Sequence, residues 1–183
     1  MSTALLVVDM LNDFVDGVLG NPAAREIVEP IARAVGVARS RPDWVVVYAN
    51  DAHLSDDFEL RVFPPHAMAG TEGARVIDDL APASTDIVVG KRAYSAFTDT
   101  ELDRALEDNA VDRLVVVGQH TDCCVRHTSY DAFVRGLQIA VCADATTVFQ
   151  PGSDEPVGVR QQRALEYLRT YYGATIETTT ELF

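Results

Sequence analysis

Five short runs of apolar, largely β-branched residues recur along this 183-residue chain, and each is continuous rather than alternating: residues 4–9, Trp44-Val45-Val46-Val47-Tyr48, Ile87-Val88-Val89, Leu114-Val115-Val116-Val117 and Leu137-Gln138-Ile139-Ala140-Val141. A half-exposed strand alternates apolar with polar residues, so a continuous run belongs to a strand covered on both faces, as in a parallel sheet. Ala174-Thr175-Ile176-Glu177-Thr178 extends the set to a sixth strand at the edge. Between the runs, apolar residues at three-to-four spacing predict helices near 23–39, 99–108, 123–135 and 158–172. This alternation predicts a three-layer, doubly wound α/β fold of Rossmann-like type on a mainly parallel six-stranded sheet. A length of 183 residues with 48% hydrophobic content fits one domain, residues 1–183.

A formal charge of -13 argues against nucleic acid or an anionic membrane as partner, because both present negative phosphate. Small neutral or cationic ligands remain open. No basic leader precedes Ala4-Leu5-Leu6-Val7-Val8, and that run is far too short to span a bilayer, so the chain reads as cytoplasmic. Three cysteines, two of them adjacent at Cys123 and Cys124, make a poor disulfide framework and read as reduced thiols.

In sheets of this kind, ligands gather beyond the carboxyl ends of the strands. Those ends carry Asp9, Asp51, Lys91 and the segment from Gly118 to Cys124. Of the 15 basic side chains, Lys91 is the single lysine and the other 14 are arginine. Lysine is a compact charge whose pKa can be tuned, which guanidinium cannot match, although one leftover surface lysine would look the same in sequence. Thr121 or Asp122 can cap a helix that begins at the cysteine pair, and a thiol in that first turn feels the positive end of the helix dipole. The bland alternative, a small hydrophobe in the core, suits Cys142 in the fifth run. His127, three residues beyond Cys124, reads as a helix-packing or surface histidine, and Arg126 and Arg135 as solvated.

From Asp51 to Gly73 the chain is polar, contains Pro64-Pro65 and lacks periodicity, which in a compact α/β domain points to function. Asp51-Ala52-His53, Glu59 and His66 supply oxygen and nitrogen donors suited to a divalent metal, zinc first, with iron or manganese as alternatives. Scattered acids are plentiful here, so Asp56, Asp57 and Glu59 could equally be solvated; histidines are scarce, and two of the four fall in this interval.

Thr121-Asp122-Cys123-Cys124-Val125 resembles the T-D-x-C-V signature of the isochorismatase-like cysteine hydrolases. Val7-Val8-Asp9-Met10-Leu11-Asn12-Asp13-Phe14 is similar to their V-D-x-Q-N-D-F opening, and Lys91 followed by Tyr94-Ser95-Ala96-Phe97 to their third element. The resemblance covers nearly the whole chain. It implies a triad of Asp9, Lys91 and Cys124, in which Asp9 takes the thiol proton, Lys91 stabilises the charges and Cys124 attacks an amide carbonyl to give a thioester. It also implies an oxyanion site built from the backbone N–H groups of His120 and Cys124, with a cis peptide at Gln119-His120. Gln-His departs from the small residues usual at that position, and the His120 side chain is either a pocket residue or a bystander.

Asp-x-His followed by Phe63-Pro64-Pro65-His66 and Gly70-Thr71-x-Gly73 resembles the nicotinamidase branch in particular. That implies Asp51, His53 and His66, with Glu59 by spacing, as ligands of the metal, Phe14 and Phe63 as walls around a flat ring unless they are simply core, a place in NAD salvage, and a homo-oligomer. An amidase for another small amide, an N-carbamoyl or ureido compound, is the alternative within the family. A metal-binding or vicinal-thiol redox module built on Cys123-Cys124 is the alternative outside it.

Overall fold

The computed structural model describes residues 2–149 and 154–183. Its elements in chain order are β1 (Ser2–Val8), α1 (Asn12–Val15), α2 (Pro22–Glu26), α3 (Val28–Ser40), β2 (Trp44–Asp51), β3 (Ile87–Lys91), α4 (Leu102–Asp108), β4 (Val111–Gln119), α5 (Cys124–Val134), β5 (Gln138–Thr147), α6 (Val157–Tyr172), β6 (Thr175–Glu177) and α7 (Thr179–Leu182). The strands form one sheet in the order β3-β2-β1-β4-β5-β6, and every pairing is parallel. Among the described residues no helix is long and apolar enough to cross a membrane.

The continuous apolar runs are explained by two cores, one on each face of the sheet. Ala4, Leu6 and Val8 of β1 pack with Leu102 and Leu106 of α4, Val125 and Ala132 of α5 and Leu168 of α6. The intervening Leu5 and Val7 face the opposite way, onto Ile31, Ala34, Val35 and Ala38 of α3. Successive strand side chains point to opposite faces, so a strand buried on both must be apolar at every position.

Two helices differ from the sequence expectation. The single helix expected over 23–39 is broken at Ile27, between α2 and α3. Pro30 accounts for the restart, because its ring would clash with the carbonyl of residue 26 in a continuous helix, whereas in the first turn of α3 its missing N–H costs nothing. The helix expected from 99 begins at Leu102, whose N–H donates to Thr100 Oγ1 at 3.2 Å, after Asp99 has turned the chain through a positive φ of 53°. The fifth strand also runs further than expected, to Thr147, past a register shift against β4 between Val116 and Gly118.

At that shift the chain requires glycine. Gly118 has φ +103°, and a Cβ there would overlap the carbonyl oxygen of Val8 in the neighbouring strand. Both the backbone strain and the backbone clash oppose any side chain. Gly118→Ala is expected to cost about 3 kcal/mol of stability, read as a lower denaturation midpoint in urea with an unchanged slope.

Candidate active site

Because β1 and β4 lie side by side at the centre, their connections leave in opposite directions and open a crevice at their carboxyl ends, where such folds bind ligands. Asp9 is the first residue past β1, Asp51 ends β2, Lys91 ends β3, and Cys124 opens α5 after β4. All four side chains are buried. Lys91 Nζ lies 2.8 Å from Asp9 Oδ2, 2.5 Å from Asp51 Oδ1 and 3.6 Å from Cys124 Sγ. The second oxygen of Asp9 accepts the backbone N–H of Asp51 at 2.8 Å, which fixes the carboxylate. The lysine is therefore no leftover at the surface; one ammonium sits among two carboxylates and a thiol.

Electrostatics in this cluster follow from two buried acids sharing one cation. Burial lifts the Asp9 carboxyl to about 7, with the neighbouring Asp51 carboxylate adding to the rise against the pull of Lys91. Burial alone would discharge Lys91, but Asp51 and Asp9 hold its ammonium charged, well above the ordinary lysine range. Interaction with the adjacent Cys124 thiol lowers Cys123 to about 6, with His127 assisting; the same interaction together with burial raises Cys124, while Lys91 pulls Cys124 back down. The arrangement is thus a protonated thiol beside a base whose affinity for protons is matched to neutral pH.

Asp51 joins this cluster to a second. While its Oδ1 contacts Lys91, its Oδ2 has no hydrogen-bond partner among the described residues and faces His53, Nε2 lying 3.6 Å away. Asp51, His53, Glu59 and His66 each offer a ligand atom, all within 4.8 Å of one another, and all four residues are buried. His53 Nδ1 meets Asp57 Oδ2 at 3.0 Å, and His66 Nδ1 donates to the Pro64 carbonyl at 2.8 Å. A carbonyl only accepts, so His66 carries its proton on Nδ1 and leaves the Nε2 lone pair free. Asp57 holds His53 through Nδ1, and His53 Nε2 has no hydrogen-bond partner among the described residues. Burial and the Asp51 carboxylate raise Glu59 to about 8. Burial opposes the His53 imidazolium, yet Asp51, Asp57 and Glu59 outweigh it and raise His53 to about 9. Among the described residues Asp51 Oδ2, His53 Nε2 and Glu59 Oε1 lack hydrogen-bond partners, and together with His66 they make a donor set of oxygen and imidazole nitrogen that fits a divalent cation. A second grouping, Asp9, Asp51 and Cys124, surrounds a point already filled by the Lys91 ammonium.

Both clusters open into one cavity of about 190 Å³. Phe14 and Phe63 line it, as do Tyr94, which belongs to the third motif, and Phe149, which no sequence motif singled out. The Gln119-His120 peptide is cis. Among the described residues, the backbone N–H groups of His120 and Cys124 donate to no protein acceptor.

Asp57, open in sequence to a solvated reading, is 6% exposed; Arg92 Nε donates to it at 2.8 Å and holds its carboxyl well below the usual range. Asp56 is the solvated one, its side chain 82% exposed. Asn12 and Asp13 position the ligand-bearing interval: Asn12 Nδ2 donates to the Glu72 carbonyl at 2.9 Å, and Asp13 Oδ2 accepts the Ala67 N–H at 2.8 Å. His127 bonds through Nδ1 to the Cys123 carbonyl at 2.8 Å and packs on Tyr94. Arg126 and Arg135 are not merely solvated, since their guanidiniums lie over Tyr167 at 3.7 Å and Phe97 at 4.4 Å.

A doubly wound parallel sheet with buried reactive groups converging at its switch point has the architecture of a small-molecule α/β enzyme. Residues 3–181 match the model of the isochorismatase domain. The crystal structure of N-carbamoylsarcosine amidase from Thermoplasma acidophilum superposes with a TM-score of 0.87 at 38% identity, over 98% of this chain and 97% of that one. The isochorismatase family protein PncA of Bacillus subtilis is 35% identical over 81% of this chain and 88% of its own length. The nicotinamidase/pyrazinamidase of Mycobacterium tuberculosis is 35% identical over 78% and 85%. The chain belongs to the isochorismatase family and is an amidohydrolase, a hydrolase of C–N amide bonds.

Proposed function

We propose that this amidohydrolase is a metal-dependent nicotinamidase, converting nicotinamide and water to nicotinate and ammonia through a thioester on Cys124. The observation that carries the reading is the convergence of two clusters on one aromatic-lined cavity: Lys91 between Asp9 and Cys124, and the four-residue donor set joined to it through Asp51.

In this reading the Asp9 carboxylate takes the Cys124 proton as sulfur attacks the carboxamide carbon, and Lys91 stabilises the thiolate as it forms. The tetrahedral oxygen is received by the backbone N–H groups of His120 and Cys124. As the C–N bond breaks, Asp9 returns the proton to nitrogen and ammonia leaves. Asp9 then takes a proton from water, hydroxide adds to the thioester, and the Cys124 thiol is regenerated as the acid departs. Asp51, His53, Glu59 and His66 would hold a divalent ion, zinc first, and that ion would supply a Lewis-acid contact for the pyridine nitrogen. Phe14 and Phe63 flank the space for the ring.

The test is ammonia release from nicotinamide by the purified protein, beside elemental analysis. We expect a divalent metal stoichiometric with the chain, loss of nicotinamide turnover on chelation and recovery on adding metal back. His66→Ala should lower metal content and turnover together, because removing one ligand leaves an incomplete donor set. A metal-free protein that turns over nicotinamide at full rate contradicts the metal role. The similarity to N-carbamoylsarcosine amidase favours a second reading, a small N-carbamoyl or ureido amide handled by the same Cys124 chemistry. Activity confined to such compounds selects it. Reversible oxidation of Cys123 and Cys124 with no amide turnover would instead mark a thiol switch.

A further inference from the structure

Gln119-His120 departs from the small residues usual at that position, and the mechanism above uses neither side chain. His120 lines the cavity against Phe14 and Phe149. Gln119 does not line it. Its side chain is fully buried at the end of β4, and its Nε2 donates to the backbone carbonyl of Asp9 at 3.2 Å. Among the described residues no other donor reaches that carbonyl, and Gln119 Oε1 has no hydrogen-bond partner. A buried amide with its oxygen unpaired carries a cost that an apolar residue of the same shape would avoid. What the glutamine supplies in return is the bond to Asp9.

Asp9 stands just past β1 with a positive φ of 51°, a conformation that a residue with a side chain holds only where its surroundings fix it. Three of its bonds run to one side of β1: its N–H to the Ala49 carbonyl at 3.1 Å, and its carboxylate to the Asp51 N–H and to Lys91. On the other side lies β4, after which Cys124 follows, and the ladder between β1 and β4 ends at Val8 and Gly118. Beyond that pair, Gln119 is the hydrogen bond that ties Asp9 to β4. We propose that Gln119 is a positioning residue for amide hydrolysis, fixing the backbone of Asp9 against the strand that carries Cys124 so that the carboxylate stays within reach of the thiol proton. This rests on the amidase reading in which Asp9 is the base. Misplacing a catalytic group by about 1 Å costs on the order of 10²-fold in rate.

The test measures kcat and KM separately in the metal-loaded parent, Gln119→Met and Gln119→Asn, on the amide that the parent turns over, nicotinamide first. Methionine keeps the length of the side chain without the donor, and asparagine keeps the donor one methylene short of the carbonyl. We expect kcat to fall about tenfold or more in both variants while KM stays within about twofold, because the pocket is untouched and Asp9 serves both acylation and hydrolysis of the thioester. Metal content should be unchanged, and the urea midpoint of Gln119→Met should stay near the parent's, since removing the unpaired Oε1 offsets the carbonyl left without its donor. If Gln119→Met does not fold, Gln119→Asn decides by the same split. A folded variant with parental kcat overturns the assignment, and so does a loss confined to KM or accompanied by lost metal, which makes the glutamine a structural prop; in each case the amidase reading stands. A parent that hydrolyses no carboxamide overturns both.

Discussion

Replacing Cys124 with alanine is expected to lower kcat/KM for amide hydrolysis by about 10⁴-fold or more while the protein remains folded. The size follows from the route. Without sulfur there is no thioester, and Asp9, Lys91 and the backbone donors can only assist direct attack by water, the residual catalysis typical when a nucleophile is removed from an intact site. The fold should tolerate the change because Cys124 is a small side chain at the start of α5, beside Val125 and Ala132, which pack into the core through other contacts. The hydrogen bond of Lys91 Nζ runs to Cys124 Sγ, and no such bond reaches the adjacent Cys123 among the described residues, although its thiol is the more acidic of the pair, so Cys123→Ala should retain turnover. Measuring both variants by ammonia release separates the two thiols. A Cys123→Ala protein that is dead beside an active Cys124→Ala would reverse the assignment.

Lys91→Arg, ordinarily a mild change, is expected to abolish turnover, by about 10³-fold or more, with the positive charge kept. The buried Nζ lies within 3.6 Å of Asp9, Asp51 and Cys124 at once, a geometry that suits a point charge. A planar fork can pair with one carboxylate through two parallel bonds but cannot place one donor among three partners. The bulkier group must also displace its neighbours, at about 1–3 kcal/mol. Lys91→Met should be worse for stability, by about 3–5 kcal/mol, because the buried Asp9 and Asp51 carboxylates then lose the cation they share. Circular dichroism and denaturation midpoints beside kinetics distinguish these effects. Near-parental turnover by a folded Lys91→Arg protein would mean that the lysine serves structure alone.

Much of this was legible in sequence for physical reasons. A strand covered on both faces must be apolar throughout, so β1 and the core of β4 stand out as runs, and residues at strand ends follow from knowing where strands end. Asp9, Asp51 and Lys91 were placed on one rim in that way, and the two scarce histidines of the irregular interval drew attention to His53 and His66. The break between α2 and α3 was missed because apolar periodicity continues through Ile27 and only Pro30 reports the interruption. Asp57 was indistinguishable from its neighbour Asp56, since what separates a hydrogen-bonded buried acid from a solvated one is where the chain turns. Tyr94 and Phe149 enter the cavity from segments far apart in sequence, and no spacing rule links them. The bond from Gln119 to the Asp9 carbonyl is a fact of packing, visible only once β1 and β4 are seen side by side.

The central claim is that the amide carbonyl passes through a covalent bond to Cys124. Rapid acid quench of the metal-loaded enzyme during turnover of nicotinamide, followed by intact mass and peptide mapping, tests it most directly. The predicted result is an acyl adduct of the mass of the nicotinoyl group on the peptide carrying Cys124, present in the parent and absent from Cys124→Ala. An adduct on another residue, or full turnover by a Cys124→Ala protein with no adduct at all, would contradict the account.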